Sequence, residues 1–219
     1  MPFELNGFEL IEDFISRIEI ESIIRGLGAL DLKGGGLRNA EKKLPAIAEL
    51  IESEKYLSHA SKYLSGKASL VRSIIFIKSI DNNWLVTWHQ DKTVAISRRI
   101  DDPDWGPWSE KEGILHVQPP VEVLDQMVTF RVHLDESTEE NGCLKLMPNS
   151  HRAGLMPQQL IDNYSKTHSA VSCIAPLGSV LVMRPHVLHA SSKAKSANPR
   201  RVLHIEYSSY QLPSGVEWA

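Results

Sequence analysis

The stretch Trp84-Leu85-Val86-Thr87-Trp88-His89-Gln90-Asp91 alternates and is rich in aromatic and β-branched residues, the composition of a strand. Residues i and i+2 of a strand point to one face. His89 and Asp91 therefore project together, an imidazole and a carboxylate one pleat apart. That pair supplies two legs of a 2-His-1-carboxylate triad, the arrangement that holds non-haem Fe(II) and leaves three neighbouring positions open. The third leg must be a histidine from a distant strand. Taken alone, H-x-D also serves as a structural hydrogen-bonded couple. The chain has 9 histidines, enough to generate a second copy, His133-Leu134-Asp135, and an H-x-E, His204-Ile205-Glu206.

Outward from this strand the β character continues. Strand-like runs cover residues 71–80, 84–96, 126–134, 143–147, 169–174, 179–183 and 201–207. They are separated by turn clusters such as Asp81-Asn82-Asn83, Asn141-Gly142 and Pro148-Asn149-Ser150. Before residue 69 the spacing of apolar residues predicts helices over 8–24, 40–53 (with Pro45 near its first turn) and 54–64. The pattern is mainly β with N-terminal helices: a sandwich or barrel with helices packed on one face. We expect one domain over residues 1–219, helical over 1–66 and β over 67–212. Residues 97–120 read as a long irregular loop, whose Trp105 and Trp108 either cover a pocket or anchor the loop.

With 219 residues and 42% apolar side chains, the chain can bury a core without staples. Its 24 basic and 27 acidic residues give a net charge of −3, which argues against a nucleic-acid partner held by bulk charge. No apolar run reaches the roughly 20 residues that span a bilayer, so no membrane partner is expected. The first residues show no basic segment followed by an apolar one, so no signal peptide is expected. Cys143 and Cys173 stand alone, which suits buried thiols in a reducing cytoplasm. G-x-S-x-G and H-E-x-x-H are absent, removing support for serine hydrolase and zincin chemistry. Gly34-Gly35-Gly36 lacks a G-K-[ST] sequel, and Asp101-Asp102-Pro103-Asp104 lacks the spacing of a Ca²⁺ loop. The sequence gives no reading of the oligomeric state.

Downstream, His186-Val187-Leu188-His189 is followed by Ala190-Ser191-Ser192 and then by Asn198-Pro199-Arg200-Arg201. Arg200 follows His189 by eleven residues. A planar guanidinium on the strand after a distal histidine suits a dicarboxylate co-substrate, because its fork grips a carboxylate bidentately. Arg201 competes with Arg200, since a one-residue slip reverses the face.

Three segments together resemble one family: W-H-Q-D at residues 88–91, L-D-E-S-T-E-E-N-G-C-L-K-L-M-P-N-S-H at 134–151, and H-A-S with N-P-R-R at 189–201. They are similar to the phytanoyl-CoA dioxygenase family of Fe(II)- and 2-oxoglutarate-dependent oxygenases. The resemblance implies a double-stranded β-helix, a jelly-roll barrel with helices outside one sheet. It implies Fe(II) bound by His89, Asp91 and His189, with O₂ and 2-oxoglutarate as co-substrates. It implies that Arg200, supported by Ser191, pairs with the distal carboxylate of 2-oxoglutarate. Asp135 is then expected to tie the E-N-G turn, and His204 to line the cavity without binding metal. Ala190 and Asn149 stand where glycine is usual in the family, and neither is a ligand position. Halogenating relatives lack the carboxylate, so Asp91 implies hydroxylation or a related oxidation.

Thr129 and Lys78 lie on predicted strands and either touch the oxoacid or point outward. His151 and Arg98 are candidates for the substrate, Arg98 for an anionic one, with a solvated surface as the alternative for both; Trp105 joins them as a loop residue. The expected function is a dioxygenase that hydroxylates a small molecule and releases succinate and CO₂. The alternatives are a jelly-roll protein that binds metal or a small carboxylate without turnover, and Zn²⁺-dependent hydrolysis or isomerisation at a His₂Asp site, of which hydrolysis gives the arginine no role.

Overall fold

Residues 3–32, 34–196 and 198–219 are described by the computed structural model. Phe3–Asn6 forms one helical turn, α1, and Gly7, at φ 81°, reverses the chain into strand β1, Phe8–Ile11. The apolar spacing over 8–24 therefore belongs to two elements and not to one helix. Ser16 decides where the helix begins. Its hydroxyl accepts from Glu19 N at 3.3 Å and the Glu19 carboxylate accepts from Ser16 N at 2.8 Å. This S-x-x-E capping box opens α2, Arg17–Gly28. After β2, Gly36–Arg38, the helix expected over 40–53 is also divided, into α3, Ala40–Lys43, and α4, Pro45–Glu52. Pro45 has no N–H to offer and holds Leu44 extended at φ −131°, ψ 106°. Helix α5, Glu54–Ser61, is capped by Ser53.

Strands β3, Ser69–Lys78, β4, Val86–His89, and β5, Val94–Ile96, follow. The segment expected to be irregular contains a hairpin, β6, Trp108–Lys111, and β7, Ile114–Val117. Glu112 and Gly113 both have positive φ, 53° and 77°, the conformation of a two-residue turn whose twist matches its strands. The remaining elements are α6, Val121–Asp125; β8, Met127–His133; β9, Leu144–Leu146; α7, Gln158–Thr167; β10, Val171–Ser172; β11, Val180–Met183; β12, His189–Ser191; and β13, Arg200–Ser208.

The strands form antiparallel sheets in the order β1-β11-β8-β13-β3-β2, β10-β9-β12-β4 and β5-β7-β6. This is the expected jelly roll, with its helices outside the six-stranded sheet. Alternation divides that sheet into two chemically different faces. Val128, Phe130 and Val132 of β8 and Leu203, Ile205 and Tyr207 of β13 pack on Ile23, Ile47, Ile51 and Tyr56 of the helices in one apolar core. Tyr207 Oη also donates to Ile51 O at 2.8 Å. The intervening residues, Thr129, Arg131 and His133 on β8 and Arg200, His204 and Glu206 on β13, are polar yet buried. They point into the sandwich. A second apolar cluster gathers Val94, Val117, Met127 and Trp105, which is 5% exposed. Trp105 is therefore an anchor of its segment and not the cover of a pocket. Among the described residues no helix is long and apolar enough to cross a membrane.

Candidate active site

The H-x-D pair and the distal histidine meet because β4 and β12 are hydrogen-bonded neighbours, with His89 directly opposite His189. The two rings lie 4.2 Å apart between centroids. Asp91, just beyond β4, is fixed by its N–H, which donates to Pro185 O at 3.0 Å. Its Oδ1 lies 3.8 Å from His89 Nε2 and its Oδ2 lies 3.6 Å from His189 Nε2. Each imidazole commits its other nitrogen to the backbone: His89 Nδ1 donates to Thr87 O at 2.9 Å and His189 Nδ1 to Val187 O at 2.8 Å. A carbonyl only accepts, so both protons sit on Nδ1 and both Nε2 lone pairs face Asp91. That is the tautomer a metal ion requires, oriented as outer-shell partners orient ligands. Burial pushes His189 down to about 3 despite the pull of Asp91, keeping it neutral. Burial opposes the charge of Asp91, yet its carboxyl is held well below the ordinary range, with Arg72 a full positive charge nearby. The donor set therefore fits a divalent cation.

Gln90, between the two ligands, faces the other way. Its Nε2 donates to Gly154 O at 2.7 Å and His186 O at 2.8 Å, and its Oε1 accepts from Met156 N at 2.8 Å. The end of β4 is thereby pinned to two loops.

The triad opens into a cavity of about 110 Å³ whose walls include Phe76, Trp84, Arg131, Ser191 and Arg200. Arg200 is 4% exposed, donates to Ser191 Oγ at 3.4 Å, and leaves its Nε without a partner. Burial, and then Arg131, push its pKa down to about 10. Lys78, opposite Arg200 in the ladder, donates to Ser191 Oγ and Ser192 O, both at 2.7 Å. Ser191 in turn donates to Gly142 O at 2.8 Å. Gly142 has φ 74°, and a Cβ there would sit 2.5 Å from Ser192 O. We expect Gly142→Ala to cost about 1–3 kcal/mol through backbone strain and to displace Ser191; a lowered Tm with a weakened 2-oxoglutarate affinity checks this.

Arg201 points to the opposite side. Its Nε and Nη2 grip the Asp135 carboxylate at 2.8 and 2.7 Å. Asp135 therefore holds the start of β13 rather than tying the E-N-G turn. That turn is held by Asn141, which accepts from Thr138 N and donates to Glu136 O, both at 2.8 Å.

Of the remaining expected residues, Thr129 is buried on the inner face with its hydroxyl unpartnered. His204 is buried one layer behind the cavity, its Nδ1 accepting from Arg131 at 3.0 Å and its Nε2 donating to Glu206 at 2.9 Å. Arg98 does not reach the cavity: it donates to Ser214 O at 2.8 Å on the exposed surface. His151 packs beside His186, with ring centroids 6.2 Å apart, and Trp105 lies in the second apolar cluster; neither lines the cavity. The sequence reading passed over Arg131, Arg72 and Gln90. The signal was present for Arg131, since it shares a strand face with Thr129 in a run that is otherwise too apolar to be exposed.

A sequence profile described as phytanoyl-CoA dioxygenase (PhyH) matches residues 3–202. Among curated proteins, the peroxisomal phytanoyl-CoA dioxygenase of Bos taurus is 22% identical, over 94% of this chain and 66% of its own length. The L-proline trans-4-hydroxylase of Streptomyces griseoviridis is 24% identical over 47% of each chain. The chain thus spans between about half and two thirds of the length of these relatives. Among solved structures, HygX from Streptomyces hygroscopicus, with nickel and 2-oxoglutarate bound, superimposes with a TM-score of 0.68 at 16% identity, covering 94% of this chain and 83% of that one. The jelly roll, the inward-facing His-Asp-His cluster and a profile match over nearly the whole length converge: this chain belongs to the phytanoyl-CoA dioxygenase family of Fe(II)- and 2-oxoglutarate-dependent oxygenases.

Proposed function

We propose that the chain is a single-domain dioxygenase that hydroxylates a small molecule, with His89, Asp91 and His189 as its iron ligands. The observation that carries this reading is the convergence of those three side chains, both imidazoles locked in the ligating tautomer. Bound there, Fe(II) with 2-oxoglutarate and O₂ supplies an oxidative decarboxylation to succinate and CO₂ that drives attack on a substrate C–H bond. The protein's part is to hold and orient. Asp91 contributes the one negative charge among the cavity's lining residues. Arg200 presents its fork, with an unpartnered Nε, to the distal carboxylate of 2-oxoglutarate, while Ser191 and Lys78 complete that end. Arg131 is the second cationic residue of the cavity walls beside Arg200. Two unpaired, buried cysteines support a reducing, cytoplasmic setting.

Anaerobic loading with Fe(II) and 2-oxoglutarate is expected to give the visible charge-transfer band of a chelated oxoacid, and admission of O₂ to release succinate. Binding of both without succinate would instead favour the non-catalytic metal and carboxylate binder.

Lys78 gives the co-substrate site a pH dependence. Burial, then Arg200 and Arg131, lower its pKa to about 8. Its ammonium is charged below that value and attracts the dicarboxylate; above it the free protein carries a neutral amine. Apparent 2-oxoglutarate affinity should therefore fall as pH rises through about 8, by up to about tenfold per unit. Lys78→Arg should flatten the profile, and an identical profile in that variant would remove Lys78 from the site.

A further inference from the structure

Along β4 and β12 the metal cavity has a direction. His89 stands opposite His189, and further along the ladder Val86 stands opposite Ser191. Trp84, two residues before Val86, continues this line away from the metal ligands and is itself a cavity wall, with Phe76 and Leu144.

The indole of Trp84 is held closely. The Lys78 ammonium lies 5.4 Å from its ring centroid, within cation–π reach, while donating to Ser191 Oγ. The six-membered ring rests on Gly35, in the triglycine run. A Cβ at position 35 would sit 2.4 Å from Trp84 Cζ3 and 2.7 Å from Cη2. The shorter of these is about 1 Å closer than carbon atoms pack. Gly35 does not have a positive φ, so it is the missing side chain that the indole needs. Gly35 O accepts from Ile77 N at 2.8 Å, which ties this backbone to the residue before Lys78. On the other side, Asn83 exchanges two hydrogen bonds with Ala194: its Nδ2 donates to Ala194 O and its Oδ1 accepts from Ala194 N, both at 2.7 Å. The residue before Trp84 is thereby fixed to the segment that follows Ser191. The polar groups at this end, Arg200 and Ser191, are those assigned above to the distal carboxylate of 2-oxoglutarate. Phe76, Trp84, Val86 and Leu144 offer apolar surface to its methylenes.

We propose that Trp84 is the end wall of the co-substrate site and that Gly35 sets its position, so that the pair limits the 2-oxo dicarboxylate accepted to five carbons. This rests on the oxygenase reading above and adds to it the residues that select the oxoacid. The triglycine run acts through the space it leaves and not as a phosphate cradle.

The test uses the full chain loaded with redox-inactive Ni(II). Calorimetry compares 2-oxoglutarate with 2-oxoadipate, its homologue longer by one methylene. Wild type should favour 2-oxoglutarate by about ten- to two-hundredfold, the worth of one methylene in an apolar pocket. Trp84→Leu should lose about tenfold or more of that ratio while Ni(II) affinity, which reports the triad, stays at the wild-type value. Gly35 lies outside the cavity wall, so Gly35→Ala should drive the indole inward and weaken 2-oxoglutarate by about tenfold. The same substitution in the Trp84→Leu background should have no effect, because the two residues act as one contact. Equal binding of the two oxoacids by wild type, an unchanged ratio in Trp84→Leu, or a Gly35→Ala effect that is absent or that persists without the indole would overturn the inference. Binding of neither oxoacid to the Ni(II)-loaded wild type would sink the oxygenase reading instead.

Discussion

Alanine at His89 or His189 should abolish Fe(II) retention and, with it, succinate release from 2-oxoglutarate. Loss of an outer-shell partner alone typically costs ten- to a hundredfold in metal affinity, so deletion of a ligand should exceed about a hundredfold. The two variants should behave alike, because the imidazoles share one placement: opposite one another across β4 and β12, and each held through Nδ1 by a backbone carbonyl two residues earlier. Metal content, the anaerobic charge-transfer band and succinate yield should disappear together while circular dichroism stays native. His168→Ala, at a surface ring stacked on Tyr164, controls for the loss of a histidine as such. Wild-type iron content and succinate yield in His89→Ala would refute the assignment of the triad.

Arg200→Lys should raise the KM for 2-oxoglutarate by about ten- to a hundredfold, because a lysine replaces a two-pronged donor with a point charge. Arg201→Lys provides the contrast. Arg201 spends its fork on Asp135, so the substitution should cost about 1 kcal/mol of stability and leave the KM near wild type. The adjacent arginines thus separate into a co-substrate residue and a structural one, although they are chemically identical. The reverse pattern, with KM following Arg201, would transfer the anchor and overturn the cavity-facing assignment of Arg200. Thermal denaturation measured alongside the kinetics distinguishes the two outcomes from general misfolding.

The positions where the sequence reading failed share a cause. Residues 8–24 carry a helical spacing, but Phe8–Ile11 pairs with β11 and the capping box at Ser16 starts the helix afresh. Tertiary pairing outweighed local periodicity. The hairpin within 97–120 depends on a Glu-Gly turn with two positive φ values, a weaker signal than Asn-Gly or Asp-Gly. Arg98, Trp105 and His151 each carried two readings, substrate contact or a surface or anchoring role, and the structure places them in the second, because residue type does not say which way a loop folds.

What the sequence determined by itself is local and periodic. The alternating runs specified a β-sandwich or barrel with helices on one face, and His89-x-Asp91 gave two legs of a triad; the jelly roll and His189 as the third leg came from the resemblance of three motifs to one family. Only the tertiary structure decided which of two neighbouring arginines looks inward, since the face of β13 is fixed by its register with β3 and β8. The same register buries Arg131, His204 and Glu206 in one hydrogen-bonded row and brings Arg72 against His116 across two sheets. Such contacts join residues whose separation along the chain carries no period, so no pattern of spacing could have announced them.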